Sequence, residues 1–183
     1  LSSLGILYED NKHFEESLSM YKELLAVCDA DKDIVVAMDG ISNYFIMNEQ
    51  KDSAFYYLKE AFHFAIKSED SRLIPQIEHN LALYHYYYSQ LDSALLFERK
   101  AISHAVNESK KRLYFGTYGS ILYDLDRIDS AVYYLNLSID TTKYERHRLT
   151  TLLNLYQIEK HRGNIETASH YLEEHVSIMD SLY

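Results

Sequence analysis

One motif, Asp-Ser-Ala, recurs along this chain as Asp52-Ser53-Ala54, Asp92-Ser93-Ala94 and Asp129-Ser130-Ala131. Relaxed versions flank these copies, with Glu15-Glu16-Ser17 before them and Glu166-Thr167-Ala168 after them. The small closing residues stand at positions 17, 54, 94, 131 and 168, so the steps are 37, 40, 37 and 37 residues. Self-similarity at such a period is typical of repeat solenoids. The sequence therefore predicts a solenoid of five similar units.

The residues that follow each motif recur with the period of an α-helix. Four, seven and eleven residues after Ala54 come Leu58, Ala61 and Ala65, a spacing that lies on one helical stripe. The equivalent stripes are Ser17/Tyr21/Leu24/Cys28, Ala131/Leu135/Ser138/Thr142 and Ala168/Leu172/His175/Met179. An acidic or Ser residue before the small one suits a helix N-terminus. Each motif thus predicts the start of the second helix of a pair, which we call helix B.

A first helix, helix A, is predicted before each motif. Thirteen residues before the small residue the chain carries an apolar or aromatic side chain, at Leu4, Ile41, Leu81, Tyr118 and Leu155. Only 5 Gly and 1 Pro interrupt 183 residues, which favours an all-α chain. We expect one repeat domain over 1–183, with approximate pairs at 1–29, 32–68, 71–106, 109–143 and 145–183. The chain begins inside a repeat and the helical pattern still runs at its end, so we expect a piece of a longer protein.

The pattern resembles the tetratricopeptide repeat. It is carried by Leu4-Gly5 with Tyr8, by Leu81-Ala82 with Ala94 and Ala101, and by Tyr118-Gly119 with Ala131. The repeat departs from the family in being longer, and it lacks the common Trp and the Pro after helix B. The resemblance implies an α-α superhelix of about five antiparallel pairs whose A helices line the concave side. Longer repeats of this kind occur in bacterial signalling and transcription regulators of the same superfamily.

Candidate binding residues follow from the implied concave face. The predicted groove residues are Asp39, Asn43, His79, Tyr86, Ser120, Tyr123, Gln157 and Lys160. Tyr and Asn offer contact area and hydrogen bonds at low entropic cost, so a protein or peptide partner is predicted in this groove. The alternative is that these residues form ordinary solvated helix faces and Tyr-rich packing. The family's clamp for acidic C-terminal tails is not expected, because Asp39 stands where a Lys would be needed.

Charge and composition exclude several classes of protein. The net charge is −10 and no basic face is visible, so nucleic-acid binding by this segment is not expected. No run of 18 apolar residues exists, so no membrane insertion is expected. The one cysteine, Cys28, excludes an internal disulfide framework. That is compatible with the cytoplasm and with an extracytoplasmic sensor part of a membrane-anchored regulator.

The sequence contains no convincing motif for catalysis, metal binding or cofactor binding. His170 and His175 are five residues apart, which separates them by about 140° on a helix, whereas helical metal ligands need i, i+4. The run Tyr84–Tyr88 is interpreted as aromatic packing and Cys28 as an inert core thiol. We expect no catalytic residues, no metal and no cofactor. Glu98 and His175 are polar residues at positions of the predicted buried stripe. At Glu98 we expect a carboxylate that reaches the edge of the stripe or pairs with a nearby His or Tyr, in preference to a binding role.

The sequence supports two hypotheses of function. The first is a protein- or peptide-binding repeat domain that serves as the interaction or sensor segment of a larger bacterial signalling regulator. The second is a structural scaffold that self-associates or mediates assembly without a peptide ligand.

Overall fold

The structure, a computed structural model, describes residues 11–68, 70–139 and 145–182, and every regular element in them is an α-helix. The helices are α1 (Asn11–Val27), α2 (Asp31–Met47), α3 (Lys51–Lys67), α4 (Leu73–Tyr87), α5 (Leu91–His104), α6 (Glu108–Asp124), α7 (Ile128–Ile139), α8 (Glu145–His161) and α9 (Ile165–Leu182). The even-numbered helices correspond to predicted A helices and the odd-numbered ones to B helices. The predicted first A helix, with Leu4, Gly5 and Tyr8, lies outside the described residues.

The helices form two compact units, Leu1–Gln90 and Leu91–Tyr183, and within each unit neighbouring helices pack in the order of the chain. In the first unit α2 packs against α1, α3 and α4. In the second unit α6 packs against α5 and α7, and α8 packs against α7 and α9. The predicted all-α fold of packed antiparallel helix pairs is confirmed, whereas a single domain over 1–183 stays a prediction.

The predicted stripes are buried in α3 and α7, the B helices that pack against both the preceding and the following A helix. Ala54, Leu58, Ala61 and Ala65 are all buried in α3, and Ala131 with Leu135 and Ser138 are buried in α7. The prediction was wrong at Leu172 in α9, which is exposed. Tyr21 in α1 and Cys28, directly after the end of α1, are only half-buried, and Thr142 lies outside the described residues.

Every described A helix ends in the same turn. The residue five positions before the small one has a left-handed backbone, with φ of 56° at Glu49, 57° at Ser89, 58° at Asp126 and 79° at Gly163. The next residue donates its N–H to a carbonyl five residues back, as from Gln50 to Phe45 at 2.9 Å. The left-handed residue itself donates three residues back, as from Glu49 to Ile46 at 3.1 Å. These are the two bonds of a Schellman motif.

The link between α3 and α4 is held by an ion pair. Asp70 accepts from the backbone N–H of Arg72 at 3.0 Å and from its guanidinium at 2.9 and 2.7 Å. These bonds from Arg72 lower the pKa of Asp70 to about 2. The link lies within the one 40-residue step of the repeat. Compared with the next step, this one has a longer end of helix B as well as a longer link, because α3 runs to Lys67 and α5 ends at His104.

The second unit shows how small residues let the helices approach. Leu122, Ala131, Leu135, Leu155 and Ile158 form one buried cluster. A Cβ added at Gly119 of α6 would lie 2.8 Å from the Leu135 side chain of α7. The small residue on helix A therefore permits close packing against helix B.

Candidate functional site

The A helices form an inner row in each unit. The backbones of α2 and α4 approach each other, as do those of α6 and α8. Within the described part of each unit, the backbones of successive B helices make no such approach. A helices that lie closer together than B helices curve each unit toward its A side. This geometry agrees with the expectation that the A helices line a concave face.

In the first unit the inner row is joined by a buried carboxylate. Asp39 of α2 accepts hydrogen bonds from the side-chain amides of Asn80 at 2.5 Å and Gln76 at 3.2 Å, both on α4. Burial raises the pKa of Asp39, while these two amides and the nearby His79 act in the opposite direction. Asp39 and His79, predicted as groove residues, are both buried. Their side chains therefore contribute to packing between the A helices.

In the second unit a hydroxyl has the corresponding role. Ser120 of α6 accepts a hydrogen bond from the side-chain amide of Asn154 on α8 at 2.8 Å and donates to the Gly116 carbonyl at 3.0 Å. Ser120, also predicted as a groove residue, is buried. A second contact, 3.2 Å between the hydroxyls of Ser138 and Thr151, connects α7 to α8. Ser120 thus joins neighbouring helices.

The other five predicted groove residues are accessible. Asn43 on α2 and Lys160 on α8 are exposed, and Tyr86, Tyr123 and Gln157 are half-buried. Lys160 donates to the Tyr156 hydroxyl at 3.2 Å, and its ammonium lies 5.4 Å from the centre of that ring. The first unit thus presents Asn43 and Tyr86, and the second presents Tyr123, Gln157 and Lys160. Their role in binding stays a prediction.

Sequence reasoning missed the amides that organise the inner row. Asn80 and Asn154 donate to a residue on the preceding A helix, and Gln76 assists the first of them. Both Asn residues stand fourteen positions before the small residue of their repeat. That shared position was a usable signal, because an amide recurring at one place in a repeat indicates a recurring hydrogen bond.

The aromatic run Tyr84–Tyr88 packs in the first unit as its interpretation predicted. Tyr84 is buried, with its ring centre 5.4 Å from that of Phe55 and 4.9 Å from that of Tyr88. The Tyr84 hydroxyl donates to the Lys51 carbonyl at 3.4 Å, and the Lys51 ammonium lies 5.0 Å from the centre of the Tyr88 ring. These contacts join the end of α4 to the start of α3.

The polar residues of the predicted stripes have distinct surroundings. Glu98 lies in the buried stripe with Ala94 and Ala101 and is fully buried, so its carboxylate does not reach the edge of the stripe. His175 is half-buried, and its Nδ1 lies 3.1 Å from the Leu149 carbonyl oxygen. Among the residues that the structure describes, no three His, Cys, Asp or Glu side chains are grouped as metal ligands. No helix in the described ranges is both long and apolar enough to span a bilayer.

Comparison with known proteins shows the fold. No protein-family model and no curated protein matches the chain. Among solved structures, the nearly identical TPR-like repeats of a putative kinesin light chain from Podosopora anserina match with a TM-score of 0.67 and 15% identity, over 98% of this chain and 92% of that one. MamA matches with a TM-score of 0.62 and 14% identity, over 92% of this chain and 90% of that one. BtubC (BKLC) from P. vanneervenii matches with a TM-score of 0.60 and 13% identity, over 93% of this chain and 89% of that one.

These likenesses confirm the predicted tetratricopeptide-like fold. At such low identity they show the fold alone. Repeat folds of this kind generally mediate protein interactions or assembly.

Proposed function

We propose that the A-helix face of this chain binds an extended peptide or a segment of a partner protein. The observation that carries the proposal is the joining of neighbouring A helices by buried side-chain hydrogen bonds, through Asp39 in the first unit and Ser120 in the second. A row of helices fixed in this way holds its outward side chains in place before a partner arrives. Binding then requires little further ordering of the protein.

The accessible side chains suit a peptide. In the first unit Asn43 can donate and accept, as a peptide backbone requires, and Tyr86 offers aromatic area for peptide side chains. In the second unit Gln157 and Tyr123 offer the same two kinds of contact. The net charge of −10 favours a protein partner over nucleic acid. In this proposal the role is non-catalytic.

The finer proposal is that the domain is the interaction or sensor segment of a larger bacterial signalling regulator. It is supported by the longer repeats, which resemble those of such regulators. A ligand that binds one curvature of the superhelix more tightly would shift the population toward it and so bias an attached effector.

A test can use peptides selected on the chain itself. Phage-displayed random 16-residue peptides would be enriched on the wild-type chain and their affinities measured. The variant Asn43→Ala/Tyr86→Ala/Tyr123→Ala should bind the enriched peptides at least about tenfold more weakly, because truncating one hot-spot residue costs about 2 kcal/mol or more and Tyr is a common hot-spot residue. Circular dichroism would verify that the variant folds.

A second candidate, a self-associating scaffold, is favoured by one observation. Tyr56 and Tyr133 occupy the same position of their B helices, two residues after the small one, and are 59% and 60% exposed. The variant Tyr56→Ala/Tyr133→Ala is thus also the control for the peptide test. Full peptide binding by this control and loss in the groove variant supports the first candidate. Equal binding by the groove variant, with a concentration-dependent mass that the control abolishes, supports the scaffold.

A further inference from the structure

Two exposed arginines of the second unit, Arg99 on α5 and Arg127 in the turn before α7, differ from most other arginines of the chain. Arg72, Arg148 and Arg162 each pair with a carboxylate. Within the described part of the chain, neither Arg99 nor Arg127 forms an ion pair. Their guanidinium groups therefore keep the capacity to bind an anion from solution.

The carboxylates that flank Arg127 in the sequence leave its charge uncompensated. Asp129 pairs with Arg162 at 2.6 Å, and the same guanidinium holds Glu159 at 3.1 Å. Asp126 forms no ion pair with any residue that the structure describes. Positive charge therefore persists at this turn, although the chain as a whole carries a net charge of −10.

The charges of both arginines act on the hydroxyl of Tyr118 on α6. Burial raises the pKa of Tyr118, and the nearby Tyr134 adds to this rise, whereas the positive charges of Arg99 and Arg127 act in the opposite direction. The Tyr118 ring packs edge-on against that of Tyr134 on α7, with the ring centres 4.8 Å apart, and the Phe115 ring lies 5.4 Å from Tyr134. Tyr118 thus holds a protonated hydroxyl, which can donate a hydrogen bond, between two cationic side chains.

The repeat gives independent geometric support for this cluster. Arg99 lies five residues after the small residue of α5, and Tyr134 lies three residues after that of α7. The same two positions on the following B helices hold Asn136 and Tyr171, and the Tyr171 hydroxyl donates to the Asn136 side chain at 3.4 Å. Side chains at these two positions therefore meet across successive B helices, which places Arg99 beside Tyr134.

Equivalent positions elsewhere in the two units lack this combination of groups. The set on α5–α7 is Arg99, Tyr118, Arg127 and Tyr134, whereas the corresponding sets are Lys22, Ile41, Gln50 and Tyr57 in the first unit and Asn136, Leu155, Asn164 and Tyr171 on α7–α9. The position of Tyr118 is taken by a fully buried aliphatic residue in both. Two cations and a hydroxyl thus come together in one of three otherwise similar places, so repeat packing alone does not require them.

We propose that Arg99, Arg127 and the Tyr118 hydroxyl form a binding site for a phosphate monoester. Each guanidinium can donate two parallel hydrogen bonds to phosphate oxygens, and the hydroxyl can donate one more. A monoester carries about −1.5 to −2 charges at neutral pH, which two arginines balance, whereas a carboxylate carries one. A nucleic-acid backbone needs a row of cations along its phosphates. The site uses none of the side chains proposed above for the A-helix face.

The phosphate could belong to a phosphorylated side chain of a partner protein or to a small phosphorylated molecule, and the test separates these sources. Its probes are a short peptide with a central phosphoserine, the same peptide with Ser or with Glu at that position, and inorganic phosphate. In NMR titrations of the ¹⁵N-labelled chain, we expect the phosphoserine peptide and inorganic phosphate to shift the Arg99 and Arg127 Nε–H signals until saturation. The Ser peptide should leave these signals unchanged.

The relative affinities of the two phosphate probes identify the source. A phosphoserine peptide that binds at least about fivefold more tightly than inorganic phosphate supports a phosphorylated protein. Equal affinities support a small phosphorylated molecule at the same site. A Glu peptide that binds as tightly as the phosphoserine peptide would overturn the proposal, because the site would then not distinguish phosphate from carboxylate.

A matched control separates this site from a general effect of positive charge. The variant Arg99→Gln/Arg127→Gln should bind the phosphoserine peptide at least about tenfold more weakly. Lys22 and Lys59 are exposed and stand at the repeat position of Arg99. The variant Lys22→Gln/Lys59→Gln also removes two positive charges and should stay within about twofold of the wild type. Equal losses in the two variants, or no loss in the first, would overturn the proposal.

Two further variants test the hydroxyl and the separation from the A-helix face. Tyr118→Phe keeps the ring and should weaken binding of the phosphoserine peptide at least about threefold, because it removes one donor to a charged acceptor. An unchanged affinity would contradict the role of the hydroxyl. The variant Asn43→Ala/Tyr86→Ala/Tyr123→Ala should bind this peptide as the wild type does, even if selected peptides fail to bind the A-helix face. Loss of the phosphoserine peptide in this folded variant would place it on the A-helix face and overturn the proposal.

Discussion

At the scale of single residues, Asp39 shows how a polar side chain can serve the fold in a place that looked functional. Its carboxylate is removed from water and accepts from Asn80 and Gln76 of the next A helix. The two amides compensate part of the cost of burying a charge, yet burial still raises the pKa of Asp39. The folded state therefore favours the protonated form of Asp39 more than the unfolded chain does.

This gives a pH dependence of stability with a defined sign. Because the pKa is raised in the folded state, the folded chain binds the Asp39 proton more tightly than the unfolded chain, so this residue's contribution to stability rises as pH falls. The gain begins near the raised pKa and is complete below the unfolded value of about 3.9. The free energy of unfolding of the wild type, minus that of Asp39→Asn, should increase between pH 7 and pH 4.5 in urea titrations. A difference that stays constant or decreases would contradict the prediction.

At the scale of elements, the turn from helix A to helix B is the most regular part of the structure. Three residues separate the helices at 48–50, 88–90, 125–127 and 162–164. The left-handed residue is Gly only at Gly163, whereas Glu49, Ser89 and Asp126 hold the same backbone with a Cβ. A left-handed backbone costs a residue with a side chain roughly 1–2 kcal/mol. The turn is thus maintained by its two hydrogen bonds despite local strain.

The variant Glu49→Gly should therefore stabilise the protein. The relief of strain exceeds the added entropy of Gly in the unfolded chain, about 0.4–1 kcal/mol, so we expect a net gain of about 0.5–1 kcal/mol. In the opposite direction, Gly163→Ala should destabilise by a similar amount. Thermal unfolding followed by circular dichroism measures both. A lower Tm for Glu49→Gly would show that its side chain makes a contact worth more than the strain.

At the scale of the whole molecule, the charge balance affects stability. With 28 acidic and 18 basic residues the net charge is −10, and like charges on a compact chain repel one another. Salt shortens the range of this repulsion, from about 30 Å at 0.01 M to about 10 Å at 0.1 M.

We therefore expect Tm to rise between 10 and 150 mM NaCl. A gain of about 1 kcal/mol would correspond to about 2–4 °C for a chain of this size. In the variant Glu16→Lys/Glu23→Lys each replacement adds two positive charges, so the net charge changes from −10 to −6. This variant should show a smaller rise in Tm. A Tm that falls with salt would mean that ion pairs such as Asp70–Arg72 outweigh the repulsion.

Much of the fold followed from the register of the Asp-Ser-Ala motif, because local periodicity decides which side of a helix is apolar. Leu58, Leu135 and the misfit Glu98 were placed correctly in the buried stripe on that basis. The burial of Asp39, His79 and Ser120 could not be derived in the same way. Whether such a position faces a groove or a neighbouring A helix depends on the angle between successive pairs. That angle is a property of the packed units and has no period in the sequence.

The constant A-to-B turn has a consequence for how this chain can change in evolution. Two hydrogen bonds and one left-handed residue define a turn of three residues, so an inserted or deleted residue there would break both bonds and rotate helix B away from its partner. The segments from the end of helix B to the start of the next helix A carry no such rule, and they differ in length between the 40-residue step and the step that follows it. Duplications and deletions whose breakpoints fall in these links would keep every hairpin intact. We expect relatives of this protein to vary in length there and to keep the three-residue turn.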